Sequence, residues 1–357
     1  MEYPFGNNPA KIEGYKKFWK REPVPRPLVG LSIKSWFSIL EFSATRQWKP
    51  GTVLSPDMIR VDDFLDDQEQ LLMEGQEMAD DILRGACPLQ GLRWFPAFLG
   101  STLTILGESI SARDRGLSWE EIDTMELDFQ DPWFRKYIEF TEALVERSGG
   151  RYPVSHGTLL GPSDMAAVLR GHVQLAYDFY DYPEKVSSLL MKMGTFFCEI
   201  LDEQMKHIPQ FLGGYFDAQY QLWAPEPTIR LQEDNGFYFS PELYRTLLQP
   251  ADHRMASRYP CSFIHLHSTS MYLLEAFLEV KEIRAFELNI EPFNIGLRDM
   301  IRYFQMVQEA DRPLLVRGSI KADELKLLLD ELDPAGLYLY IMVQDLREAE
   351  SCRKLLA

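Results

Sequence analysis

The sequence predicts an α/β fold: a single (β/α)8 TIM barrel with extra N-terminal and inserted helices. Two observations carry that prediction. Apolar runs of strand length alternate with amphipathic stretches of helix length, and such alternation implies a parallel sheet. The runs begin near residues 28, 92, 152, 211, 262, 283, 313 and 337. Eight such units favour a closed barrel over an open sheet. The length of 357 residues fits, because α/β barrels reach this size as one domain. We therefore read 1–357 as one barrel domain, with 1–27 as a helical extension and 56–150 as helical decoration between early strands.

Along the chain, residues 9–21 form a short amphipathic pattern ahead of the Pro-rich 22–27. Leu28 to Ile33 is a buried strand. Pro56 to Ala86 is a long acidic helical region, and Leu92-Arg93-Trp94-Phe95 is the second strand. Trp119 to Arg147 is mostly helical. Tyr152 to His156 is the third strand, and Gly161-Pro162-Ser163 begins the helix after it. Pro183 opens a long helix to about His207, since proline at the first helical position loses no needed donor. Phe211 to Asp217 is the fourth strand. Ser240 caps a helix that runs to about Tyr259. Strands at 262–267, 283–290, 313–318 and 336–343 then alternate with helices at 272–278, 297–309, 322–332 and 346–355.

Composition narrows the function. The chain is 46% hydrophobic and 25% charged, with a formal charge of −17. A field of that sign repels nucleic acid and anionic membrane, so neither is expected as a partner. No window approaches the roughly 18 apolar residues that span a bilayer. The four cysteines are scattered, which excludes a CxxC zinc or redox motif. Scattered thiols and an N-terminus without a secretory pattern lead us to expect a cytoplasmic location. No GxGxxG, P-loop, GxSxG or HExxH motif occurs.

The densest chemical signal is Cys261-Ser262-Phe263-Ile264-His265-Leu266-His267-Ser268. In a strand, residues i and i+2 point to one face, so His265 and His267 are expected to converge where the strand ends. Barrel active sites lie at that end. Glu287 and Asn289 repeat the spacing on the next strand. Two imidazoles with Glu287 suit zinc or another borderline divalent ion, or they hold a substrate directly. The plainer reading packs His265 in the core and exposes only His267. Asp217, His156 and Glu287 are candidates for acid–base work. Arg317 and Lys34 are candidates to hold an anion. Trp36, Trp94, Tyr220 and Tyr340 are candidates for the pocket wall, although aromatics at strand ends are often core. Glu233-Asp234-Asn235-Gly236 reads as a turn over the barrel mouth, with Asp234 and Asn235 as solvated turn residues and Glu233 equally a turn acid or a site residue.

Gly161-Pro162, Phe239-Ser240-Pro241-Glu242-Leu243-Tyr244 followed by Pro250, and His265-Leu266-His267 together resemble the uroporphyrinogen decarboxylase superfamily, over roughly residues 90–350. That group includes the decarboxylase itself and zinc-dependent corrinoid:thiol methyltransferases. The resemblance implies a TIM barrel enzyme acting on a small molecule, a divalent metal with zinc foremost, a corrinoid partner protein as methyl source, and a homodimer. Where the decarboxylases carry an arginine-rich segment, this chain reads Leu31-Ser32-Ile33-Lys34-Ser35-Trp36. Where the methyltransferases carry His-x-Cys and a later Cys, it reads His265-x-His267 and Tyr340-Ile341-Met342. Methyl transfer is the leading expectation. Metal-free decarboxylation of a carboxylated substrate, with Asp217 or His156 as proton donor, is the alternative, and a non-catalytic binding barrel is the third.

Overall fold

The computed structural model describes residues 3–33, 39–291 and 295–356. Helix α1 (Ile12–Lys20) leads into strand β1 (Leu28–Ile33). Helices α2 (Asp62–Gln76) and α3 (Trp94–Phe98) follow, then a hairpin of β2 (Leu103–Leu106) and β3 (Ser109–Ala112). Helices α4 (Trp119–Thr124), α5 (Pro132–Ser148), α6 (Pro162–Arg170), α7 (His172–Asp181) and α8 (Pro183–Met205) come next. A second hairpin, β4 (Tyr215–Asp217) and β5 (Leu222–Ala224), precedes β6 (Arg230–Gln232). Ser240 accepts the Leu243 N–H and starts α9 (Pro241–Leu243), which passes through a π-helical turn (Tyr244–Leu248) into α10 (Gln249–Arg258). The last third is β7 (Phe263–Leu266), α11 (Leu274–Leu278), β8 (Ala285–Asn289), α12 (Leu297–Glu309), β9 (Leu314–Gly318), α13 (Ala322–Glu331), β10 (Leu337–Val343) and α14 (Leu346–Leu356).

Six strands form one parallel sheet in the order β1-β10-β9-β8-β7-β6. Side chains alternate across it, as the two-residue period requires. Ile264, Leu266, Phe286, Leu288, Val316, Leu339 and Ile341 face outward into the main core. Phe263, Ala285, Leu315, Tyr338 and Tyr340 face the other way, into a second apolar cluster completed by α1 and the β4–β5 hairpin. His265, Glu287 and Arg317 share the parity of this second set, so the sheet delivers them to its inner face. The hairpin is anchored there: the Tyr338 hydroxyl donates to the Tyr220 carbonyl at 2.8 Å, and the Tyr15 hydroxyl donates to the Gln221 carbonyl at 2.6 Å.

The outer edge of β1 is closed by side chains instead of a long strand. Asp81 accepts the Val29 N–H at 3.0 Å, and Asp80 accepts the Leu31 N–H at 2.7 Å. Arg84 donates to the Leu31 carbonyl at 2.9 Å and pairs with Asp80 at 2.5 Å, with both side chains 2% exposed. Filling the edge in this way leaves no open ladder for another chain to join.

Four sequence expectations need correction. The run at 92–95 leads into helix α3, which begins at Trp94, because a short run whose apolar residues are all buried carries no period to separate strand from helix. The 152–156 segment contributes one parallel bridge, Val154 to Ala86. The 211–217 run is not a parallel strand of the sheet. Gly214 lets Trp223 fold back so closely that a Cβ would lie 2.3 Å from its ring, and the segment pairs antiparallel with β5. The sheet strand is instead β6, which had no counterpart in the sequence reading. The helical region expected over 56–86 is helical as α2 only to Gln76. The remaining strands and helices from residue 240 onward lie where their periodicity places them, within a few residues. Among the described residues no helix is long and apolar enough to cross a membrane.

Candidate metal centre

His265 stands on β7, in register with Gln232 on β6 and Glu287 on β8. His267 is the residue just past the strand, where the chain turns into a 3-10 helix. The two rings converge as the i, i+2 spacing predicts, with Nε2 atoms 3.3 Å apart. Each Nδ1 is held from behind by a carboxylate. His265 Nδ1 donates to Glu287, with the Tyr220 hydroxyl 2.9 Å away, and His267 Nδ1 donates to Glu291 at 2.5 Å. Glu291 is itself fixed by the Ser268 N–H and hydroxyl, at 3.1 and 2.6 Å. These partners place a proton on Nδ1 of both rings and turn both Nε2 atoms toward the same point.

A third donor completes the cluster. Asp234 Oδ1 lies 3.4 Å from His267 Nε2, and the donor atoms of Asp234, His265 and His267 all lie within 4.8 Å of one another. Two ligands about 2.0–2.1 Å from a tetrahedral zinc ion sit about 3.3–3.4 Å apart. Two edges of the cluster therefore match the spacing of neighbouring ligands on a zinc tetrahedron. Two imidazole lone pairs at that separation repel unless a proton or a cation lies between them. Burial alone would drive the charged His267 ring off, but Asp234 and Glu291 outweigh it and hold its pKa at about 9. Burial likewise raises the Asp234 carboxyl, yet the hydrogen bond to His267 and the charges of both histidines bring it down to about 2. At the donor cluster itself, Asp234 and Glu291 thus favour a positive charge on or between the imidazoles.

Asp234 owes its place to three neighbours. Gln232 Nε2 donates to its Oδ2 at 2.6 Å. The buried Asp164 carboxylate accepts the backbone N–H groups of Asp234 and Asn235, at 3.3 and 2.9 Å. Glu233 turns the other way and accepts the Ser163 N–H at 2.9 Å, capping α6. Gly161 makes this junction possible, since a Cβ there would lie 1.6 Å from the Gln232 carbonyl oxygen. The sequence reading of Asp234 and Asn235 as solvated turn residues is corrected by this packing. It failed because β6 went unseen. Ile229 and Leu231 alternate with polar neighbours ahead of Glu233, a short period-two signal that would have put Asp234 at a strand end. Glu291 was also missed.

Behind Asp234, burial lifts the Asp252 carboxyl to about 7, against hydrogen bonds from Tyr244 (2.8 Å) and Glu233 that favour ionisation. A folded pKa above the unfolded 3.8 means that the native state holds an extra proton between those values. This contribution to stability is fully present below about 3.8 and is lost as pH rises through about 7. We expect wild-type stability to fall across that window, relative to Asp252→Asn, by on the order of a few kcal/mol. Urea midpoints at several pH values measure it, and a difference that stays constant with pH would refute it.

The remaining predicted residues fall in distinct places. Arg317 lines the same cavity as the histidines. Its guanidinium lies against the rings of Tyr220 and Tyr340, at 5.7 and 6.0 Å. Tyr220 is fully buried behind His265, and Tyr340 is buried beside Arg317. Glu287 is buried and serves His265 Nδ1, so it orients that imidazole, and the third member of the candidate donor set is Asp234 instead. Asp217 and His156 lie 3.6 Å apart, both buried, and neither lines the cavity of the histidine pair. Burial holds the His156 ring below its ordinary pKa, against the opposing pull of Asp217. Asp217 also accepts the Tyr220 N–H at 2.9 Å, a turn-stabilising role. Trp94 is core: its indole N–H donates to the Leu89 carbonyl, and its ring packs on Trp133 and Tyr137. Lys34 and Trp36 lie outside the described residues.

No protein-family model matches the chain, and no curated protein matches it. Among solved structures it is similar to a methyltransferase from Methanosarcina mazei, with a TM-score of 0.61 and 13% identity over 95% of each chain. At that identity the likeness is one of fold.

Proposed function

We propose that this protein is a methyltransferase of the uroporphyrinogen decarboxylase superfamily type, acting on a small molecule with a divalent metal held by Asp234, His265 and His267. The observation that carries the metal is the donor triangle, two of whose edges match the ligand spacing of a tetrahedral ion and whose imidazoles are pre-turned by Glu287 and Glu291. Methyl transfer is supported by the fold-level likeness to a methyltransferase along nearly the whole chain. In this reading Ala86 and Val154 supply the two further positions of an eight-stranded barrel.

With three protein donors, a tetrahedral ion keeps one position for substrate, as catalytic zinc sites do. A bound zinc there would lower the pKa of a substrate thiol or hydroxyl, readying it to accept a methyl group. The chain's own residues orient the imidazoles, keep Asp234 ionised and shape the cavity. The methyl group would come from a corrinoid carried by a partner protein.

The test is the metal content of full-length protein purified without added metal, followed by methyl transfer from methylcobalamin to small thiols. About one equivalent of a transition metal per chain and metal-dependent product are expected. Protein that takes up no zinc, cobalt or iron even when they are supplied would end this reading.

A further inference from the structure

The cavity beside the donor triangle has a volume of about 300 Å³ and carries an unusual balance of charge. Asp234 is the one carboxylate among the described lining residues, and the histidine pair already engages it. Two arginines, Arg93 and Arg317, line the same space. The rest of the polar wall is neutral, with Gln90, Gln219 and Asn289 among it. In a chain of net charge −17 this is a local reversal of sign.

Arg93 is the informative one. It is half-buried just ahead of α3, and its Nε–H donates to the Ile110 carbonyl of strand β3 at 3.3 Å. The β2–β3 hairpin thus tethers the guanidinium through Nε, and among the described residues no hydrogen bond engages its terminal NH2 groups. No carboxylate pairs with Arg93 among the described residues. A half-buried guanidinium without a counter-charge is costly, and a ligand oxyanion meets its fork with two parallel hydrogen bonds. On the inner face, Asn289 adds a buried amide oxygen that no other group among the described residues engages, an acceptor for a substrate donor.

We infer that Arg93 is the anchor for an anionic group on the substrate, so that the cavity takes a small polar molecule with a carboxylate or comparable oxyanion at one end and its reacting atom at the donor triangle. Arg317, borne on the sheet strand β9, adds a second positive charge to the lining. This assignment rests on the proposed function for the identity of the reacting end, but the anion subsite itself is made of Arg93 and is testable alone.

The experiment is calorimetric titration of full-length protein with succinate and, separately, with its uncharged analogue succinamide, using both zinc-loaded and chelator-stripped protein. Succinate should bind more tightly than succinamide in both forms. Arg93→Gln should weaken succinate by at least about tenfold and leave succinamide unchanged. Arg93→Lys, which keeps the charge and loses the fork, should fall between. Arg60→Gln, at an exposed arginine far along the chain, should bind succinate as wild type does. Circular dichroism and zinc content check that the Arg93 variants fold. Equal binding of the two probes by wild type, a folded Arg93→Gln with undiminished succinate binding, or an equal loss in Arg60→Gln would each overturn the assignment. A protein that binds succinate through Arg93 yet takes up no metal would sink the metal reading and keep this one. Stoichiometric zinc with Arg93-independent anion binding would do the reverse.

Discussion

His267→Ala is expected to lower zinc affinity by more than about a hundredfold and to abolish metal-dependent turnover. The scale follows from the layers of the site. Changing a partner that merely orients a ligand costs about 10–100-fold in metal affinity, so removing a ligand must cost more. Glu287→Gln supplies the comparison. It keeps the shape and an acceptor for His265 Nδ1 but removes the charge, and it should fall inside the 10–100-fold range. His267 is the cleaner candidate ligand to delete because it is half-buried, whereas deleting His265 leaves Glu287 sealed in the interior without its partner. Competition with a chromophoric chelator measures all three affinities. Wild-type affinity in His267→Ala would mean that the imidazole is not a ligand.

The largest effect on stability is expected at Asp80→Ala, at about 3–5 kcal/mol. Arg84 is fully buried, and its charge is tolerated because Asp80 faces it at 2.5 Å. Removing the carboxylate strands the guanidinium and also frees the Leu31 N–H, unhooking the edge of β1. The nearby Arg26–Asp81 pair has equally short contacts, but its side chains are 45% and 28% exposed. Pairs in water are worth about 0–1 kcal/mol, so Arg26→Ala should be nearly silent. Urea denaturation of both variants tests the contrast, and similar losses would show that burial is not what makes the first pair matter.

Much of the sheet was legible in the amino-acid order, and the reasons are physical. From β7 onward each strand is a run of apolar residues with a helix of clear period behind it, so periodicity alone places them. Earlier, the sheet positions shrink to a bridge at Val154 and a three-residue β6, whose period-two signal is only two apolar positions long and easily passed over. The same brevity hid Asp234. The convergence of His265 and His267 was readable because it depends only on strand geometry. The third donor was not, because it comes from a different strand whose end is set by Gly161 and Asp164, remote in sequence. Trp94 misled because a large aromatic in an apolar run looks the same whether it walls a pocket or fills a core.

His265 stands opposite Glu287 in the β7–β8 ladder, and the segment that follows each strand sets His267 beside Glu291. A slip of one residue would turn every inward side chain outward and undo both couples together. Backbone pairing and polar matching thus proofread each other, and only a correctly threaded molecule can present the three donors. Occupancy by a cation would then serve as a readout of correct threading: misaligned molecules would stay empty, while the filled ones would be held in their native alignment by the ion they captured.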